Sequence, residues 1–345
     1  MSFFPNMVRS RSVPGIGPKD ARIAIVGDYT SAFDDNAMKP FQGSAGTVLE
    51  RCLHQAGLIL GEVYMTNLFK NKATKNVKYG DPAGPQPDLF NENKKQFTSE
   101  GNRAVQELLE ELDAVKCNII VTCGRAPAVA LAGVRALHDR RGYVHSSIGL
   151  KNCKKVIPTL HPSNAVRGNY ISRHLITHDL KKAKAESLFN ELRRPERNLI
   201  YEFGSVDEVL QWIDYFNDRP ALSVDIEVLN YEMSCINLSD RPDLGVVIPL
   251  TEQWSEDEEV LIWHGLAKLL GNSAIKIMQN GIFDIHFLAT RCGIIVNGPL
   301  HDTMIAHSCM YPELNKGLGF LGSLYCGSQE YWKDKANFKN IKEDN

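Results

Sequence analysis

Residues Ala221-Leu222-Ser223-Val224-Asp225-Ile226-Glu227-Val228 alternate apolar and polar side chains, a period-two pattern that predicts a strand with one face on a core. Asp225 and Glu227 then point to the same side, roughly 7 Å apart along the strand. Two carboxylates on one rigid face repel each other, and a hard divalent ion such as Mg²⁺, which takes oxygen ligands, would suit the pair. A bare Asp-x-Glu is also what a solvated acidic strand face presents, so these residues alone leave both readings open.

A second stretch narrows the choice. Residues 275–278 read as a strand, Asn280-Gly281 as a break, and 282–288 as a helix start that carries Asp284. Together the two stretches resemble the first and second motifs of the proofreading 3′–5′ exonucleases of family-A DNA polymerases. The first motif is Asp-x-Glu on a central strand; the second is Asn, a spacer, an aromatic residue and Asp, here Asn280, Phe283 and Asp284. The runs 301–306 and 311–314 resemble the segment that follows, and the likeness covers about residues 199–335. It implies a ribonuclease H-like mixed sheet in which Asp225, Glu227 and Asp284 are catalytic and hold two Mg²⁺ or Mn²⁺ ions. The family's third motif, Tyr followed four residues later by Asp, supplies the last ligand. Tyr331 has Lys335 at that offset, so the site is expected to be one ligand short and the exonuclease-like domain C-terminally incomplete.

The 345 residues suffice for two domains, and with 43% hydrophobic residues each half can bury its own core. A net charge of −2 argues against a general basic coat, so any nucleic-acid surface must be local. Cysteines at 52, 117, 123, 153, 235, 292, 309 and 326 form no Cys-x-x-Cys and read as reduced thiols. No stretch approaches the roughly 20 apolar residues of a membrane span. A cytoplasmic protein is expected, in the bacterial host cytoplasm if phage-encoded, with no membrane partner.

In the first half, strands are predicted over 21–26, 63–68, 118–123 and 155–160. They alternate with helices from about 46, over 98–112 and over 126–136, so a parallel sheet with helices on both faces is expected. Residues 1–20 read as a loose arm, 28–38 as a loop and 71–96 as a long polar loop. Asp28, Asn67 and His161 fall at or just beyond carboxyl ends of strands, the edge where open parallel sheets bind ligands. Singly, each is also an ordinary turn or cap residue.

This half resembles the uracil-DNA glycosylase superfamily, nearest to family 4. Pro40-Phe41-x-Gly43-x-Ala45-Gly46, Thr66-Asn67-Leu68-Phe69-Lys70 and His161-Pro162-Ser163 match its motifs, and Gly27-Asp28-Tyr29-Thr30 keeps the Gly and acid of the first but lacks its Pro. The resemblance spans about residues 21–185 and implies a base held outside the duplex. Phe41 would stack on that base, while the Asn67 amide would read the uracil edge and reject cytosine. His161 would donate to the charge developing on the base, and Asp28 would orient water or stabilise the sugar cation. Family 4 carries an iron–sulfur cluster on four cysteines. Here none precedes Cys52, and Asn71 stands where a Lys-Cys pair would place one, so no iron–sulfur cluster is expected.

The run 167–184 offers Arg167, Arg173, Lys181 and Lys182 to DNA phosphates, or to a solvated helix face. The expected order is a flexible arm (1–20), a glycosylase-like domain (21–185), a linker (186–198) and an exonuclease-like domain (199–345). The two resemblances imply the N-terminal portion of a phage-type DNA polymerase, with the polymerase domains either on a separate polypeptide or in the remainder of a longer chain of which this is a fragment. Its partners would be single-stranded 3′ ends and uracil-containing duplex. The alternative from another class is a non-catalytic DNA-binding module that uses both folds to grip template.

Overall fold

Ile23, Ala24, Ile25 and Val26 are all buried, so the first half of strand β1 (Ile23–Thr30) has no face to offer water. Such a strand belongs inside a parallel sheet covered on both sides. The computed structural model describes residues 12–72, 90–91, 96–153, 155–250 and 253–327. They divide into two compact units: one runs to Arg194 and resumes at Gly322, the other spans Pro195–Leu321.

In the first unit β1 leads to α1 (Ala32–Ala37), α2 (Ser44–Gln55), β2 (Tyr64–Lys72), β3 (Phe90–Asn91), β4 (Gln96–Phe97) and α3 (Ser99–Asp113). There follow β5 (Ile119–Cys123), α4 (Arg125–Ala132), α5 (Leu137–Arg140), β6 (His145–Ser146), β7 (Lys155–Thr159), α6 (Ser163–Val166) and α7 (Ser172–Glu186). The sheet order is β2-β1-β5-β7-β6, parallel throughout except for β6 against β7.

Three boundaries differ from the sequence pattern. β1 continues to Thr30, so Asp28 lies on the strand and not after it. β2 continues to Lys72, which puts Asn67 in mid-strand opposite Gly27. Between them, the expected loop contains α1, started by a Ser31–Asp34 capping box. Residues 12–20 are no loose arm either. Ile16 and Met65 exchange two backbone hydrogen bonds of 2.8 Å, and the Val13 N–H donates to the Lys70 carbonyl at 2.9 Å. The expected loop at 71–96 falls largely outside the described residues, as do Tyr331 and Lys335.

The second unit holds β8 (Asn198–Ile200), α8 (Val206–Asn217), β9 (Ala221–Leu229), β10 (Glu232–Ser239), β11 (Leu244–Pro249), α9 (Glu256–Gly271) and β12 (Ile275–Met278). It continues with α10 (Ile282–Arg291), β13 (Leu300–Asp302), α11 (Thr303–Met310) and the start of α12 (Leu318–Tyr325). The sheet order is β13-β12-β9-β10-β11-β8. An antiparallel meander β9-β10-β11 is flanked by parallel β12 and β13 on one side and β8 on the other. This is a ribonuclease H-like mixed sheet. Leu222, Val224 and Ile226 of β9 share a buried core with Val209, Ile213 and Phe216 of α8 and Ile262 and Leu266 of α9. Ser223, Asp225 and Glu227 line the opposite, exposed face, as the alternation demands.

Residues Gly322–Gly327, expected within the second domain, pack with the first unit. The Lys182 ammonium donates to the carbonyls of Gly142 (2.9 Å), Ser323 (2.7 Å) and Cys326 (3.2 Å). Buried Arg141 pairs with buried Asp179 and donates to the Ser323 hydroxyl at 3.2 Å, while the Thr159 hydroxyl donates to Asp179 at 2.6 Å. Lys182 is therefore not a phosphate contact: its three protons already have acceptors inside the chain. Exposed Lys181, one residue earlier, faces solvent. Lys182→Met should cost about 2 kcal/mol by leaving buried carbonyls unpaired, and Lys181→Met should stay within about 0.5 kcal/mol of wild type. Paired urea titrations of the two variants measure this; equal stabilities would contradict the buried anchoring.

Candidate functional site

At the carboxyl edge of the first sheet, Gly27 makes room for two side chains at once. A Cβ built there would collide with Asn67 Oδ1 and fall 2.7 Å from Phe41 Cζ, so the amide and the ring meet over the strand because residue 27 has no side chain. Asn67 is buried, with its Nδ2 3.5 Å from the Thr30 hydroxyl. Phe41 takes a left-handed conformation, φ 56°, and its carbonyl presses against Gly46 so closely that a Cβ there would collide with it. Those contacts explain the Pro-Phe-x-Gly-x-Ala-Gly spacing physically. The buried Asp34 carboxylate holds the loop, accepting from the N–H groups of Ser31 and Gln42 at 2.7 Å each. Asp28 lies on the other side of β1, its carboxylate against Gly124, the residue that caps the N-terminus of α4.

His161 follows β7, with Nδ1 2.8 Å from the Ser163 hydroxyl and accepting the Ser163 N–H at 3.2 Å. A ring nitrogen that accepts from a backbone N–H carries no proton, so the hydrogen of the neutral ring sits on Nε2. Burial, reinforced by the nearby Arg167 charge, pushes the imidazole down to about 4. His161 is thus neutral at pH 7, with Nε2–H as its donor. The structure brings Gly27, Phe41 and Asn67 into contact and sets Asp28 on β1 and His161 just past the end of β7 in the same sheet. A cleft of about 470 Å³ opens beside Phe41, lined by Ile16, Gln42, Thr47 and Met65, but includes none of Asp28, Asn67 and His161. Of the basic residues, Arg167 is exposed and donates to Asn164 Oδ1 at 2.7 Å, and half-buried Arg173 lies over the Tyr170 ring, 5.6 Å from its centroid.

In the second unit, β12 pairs with β9 only along Ala221–Ser223, and among the described residues no strand continues that edge. The Ile226 N–H, pointing out of the ladder, donates instead to Asp284 Oδ1 at 3.0 Å. This single bond inserts Asp284, 6% exposed and in the first turn of α10, at the strand position between Asp225 and Glu227. Burial, together with the charges of Asp284 and Glu227, pushes the Asp225 carboxyl up to about 6. Asn237, opposite Asp225 on β10, opposes that shift by donating from Nδ2 to Asp225 Oδ2 at 3.4 Å. Burial also raises the Asp284 carboxyl. Among the described residues no three His, Cys, Asp or Glu side chains form a ready-made metal cage. The fit to a cation lies in the mutual repulsion of the three carboxylates, which a divalent ion would relieve.

The pattern in the sequence gives no hint of Asn237, whose relevance comes from strand register. Asp34 and Asp302 were missed as well: 28–38 reads as a loop, and the Asn280 and Gly281 N–H groups that Asp302 accepts from lie on another element.

Residues 14–191, just over half the chain, match the uracil DNA glycosylase superfamily. The chain belongs to that superfamily. Residues 205–342 match the 3′–5′ exonuclease family of A-type DNA polymerases. The type-4 uracil-DNA glycosylase of Thermotoga maritima is 28% identical over 180 residues, covering 51% of this chain and 83% of that protein. The DNA polymerase of Bacillus phage SP01 is 24% identical over 339 residues, covering 87% of this chain but 34% of the polymerase, so the match spans about a third of that protein. Among solved structures, Escherichia coli RNase D aligns with 38% of this chain and 33% of its own at 18% identity and a TM-score of 0.29. The chain thus joins a glycosylase-superfamily domain to a 3′–5′ exonuclease domain, two folds of DNA repair and replication. No helix among the described residues is long and apolar enough to cross a membrane.

The depressed His161 value has a thermodynamic consequence. Between pH 6.5 and 4 the unfolded chain binds the His161 proton and the folded chain does not, so stability rises with pH across that window. The contribution is fully present above pH 6.5 and lost as pH falls toward 4. His161→Gln should flatten this acid slope relative to wild type in denaturation curves at pH 4.5 and 7; parallel pH profiles would refute the assignment.

Proposed function

We propose that the chain is the N-terminal portion of a phage-type family-A DNA polymerase, carrying a uracil-reading domain ahead of a proofreading exonuclease. The observation behind this reading is the alignment to the phage SP01 DNA polymerase, which covers 87% of the chain and so extends over both units. A polymerase polypeptide, joined to or assembled with this chain, is the implied partner. DNA is the substrate, and the host cytoplasm is the place of action.

In the exonuclease unit Asp225, Glu227 and Asp284 would hold Mg²⁺ or Mn²⁺, which when bound activates water and neutralises charge at the scissile phosphate. The chain's own task is to aim these ligands. The Ile226 N–H fixes Asp284, and Asn237 bonds to Asp225 from the neighbouring strand. In the glycosylase unit Phe41 would stack on a flipped base while the Asn67 amide pairs with its edge. As the bond from base to sugar breaks, its electrons go to the base, and His161 Nε2–H would donate to the carbonyl oxygen that takes the charge. Asp28 would orient the water that adds to the sugar carbon. Arg167, Arg173 and Lys181 would hold the flanking phosphates.

Two assays test this. With Mn²⁺, the chain should release mononucleotides from the 3′ end of a labelled single strand, and Asp225→Ala should lower the rate at least ~100-fold. On uracil-containing duplex, Asn67→Ala and His161→Ala should each lower formation of alkali-labile sites by about 10²- to 10³-fold. Tight DNA binding with neither product would instead favour the non-catalytic gripping module.

A further inference from the structure

Asp302 ends β13, yet its carboxylate serves two elements. Oδ1 accepts from the Met304 N–H at 2.8 Å and the Ile305 N–H at 3.1 Å, which caps α11. The same oxygen accepts from the Asn280 N–H at 3.2 Å, and Oδ2 accepts from the Gly281 N–H at 2.8 Å. The second pair belongs to the turn that launches α10. That turn is unusual in its backbone: Asn280 has φ 59°, and a Cβ on Gly281 would lie 2.6 Å from Met278 Cβ. Asp302 clamps this turn from outside, holding the N–H groups of both its residues. Beside it, the Thr303 hydroxyl donates to the Met278 carbonyl at 3.2 Å, fixing the end of β12 to the same corner.

From this corner a short chain of contacts reaches the carboxylates. The Asn280-Gly281 turn sets the first turn of α10; that turn carries Asp284; Asp284 Oδ1 meets the Ile226 N–H between Asp225 and Glu227. We infer that Asp302 is a positioning residue of the exonuclease site: its clamp on the Asn280-Gly281 turn sets where Asp284 meets strand β9. Its oxygens already accept four N–H groups, so Asp302 is not itself a spare metal ligand. The inference rests on the reading of Asp225, Glu227 and Asp284 as the metal-binding set, and its test separates the two.

Serine is a good helix cap but too short to reach the Asn280-Gly281 turn as well, so Asp302→Ser keeps the α11 cap and removes the clamp. Mn²⁺ titration followed by electron paramagnetic resonance, and amide exchange of the peptide containing Ile226 without metal, are measured on the full chain. Asp302→Ser should weaken Mn²⁺ binding about 10-fold or more and speed exchange at Ile226, with helix content unchanged. Asp302→Asn, which keeps one oxygen, should weaken binding about 3-fold and decides the matter should the serine variant unfold. Wild-type affinity and exchange in the folded variant would overturn the positioning role and leave Asp302 a simple cap. Asp225→Asn is the control on the underlying reading. If it abolishes Mn²⁺ binding while Asp302→Ser does not, only the positioning role fails. If wild type binds no Mn²⁺, the metal reading fails and exchange at Ile226 alone judges the clamp.

Discussion

One hydrogen bond, from the Ile226 N–H to Asp284, organises the second unit. Strand β12 leaves β9 after Ser223, so the β9 edge beyond it keeps backbone donors that no strand among the described residues satisfies. A buried N–H without a partner costs roughly 1–3 kcal/mol. Asp284 answers that need and in doing so brings a third carboxylate beside two others. The demand for a backbone partner and the assembly of an acidic site are therefore the same event. This explains why Asp284 is buried while Asp225 and Glu227 stand on the open face of the sheet.

Glycine does the equivalent work in the first unit. At Gly27 and Gly46 the missing Cβ atoms let Phe41 approach the sheet edge and α2, and at Gly124 the missing Cβ leaves room for the Asp28 carboxylate. None of these contacts relies on strong attraction. They are openings that any other residue would fill, which ties motif spacing to shape.

The alternation in 221–228 was enough to assign β9, its core face and its acidic face, because a period of two leaves one arrangement once one side is apolar. The parallel order of the first sheet was legible for the same reason, from buried runs separated by helical segments. Strand ends were not. β1 and β2 outrun their apolar stretches because each strand supplies hydrogen bonds for the other regardless of side chain, so Asp28 and Asn67 lie within strands. Lys182 was misjudged because nothing in its neighbourhood of charges reveals that residues about 140 positions later supply its acceptors. The clamp made by Asp302 was hidden likewise, because the Asn280 and Gly281 N–H groups that it accepts from lie more than 20 residues earlier in the chain.

Burial acts in opposite directions at the two candidate sites, and each direction suits its chemistry. At His161 it disfavours the cation, which keeps a neutral ring with a defined donor, the form that the proposed base excision would use. At Asp225 it disfavours the anion, and the neighbouring carboxylates add to the penalty, so the metal-free cluster resists full ionisation near pH 6. A neutral donor is complete as folded and waits only for substrate. An acidic cluster whose carboxylates repel one another is relieved by a proton or by a divalent ion, and the proposed metal binding would draw on that repulsion. The same physical cause thus makes one site self-sufficient and the other dependent on what it binds.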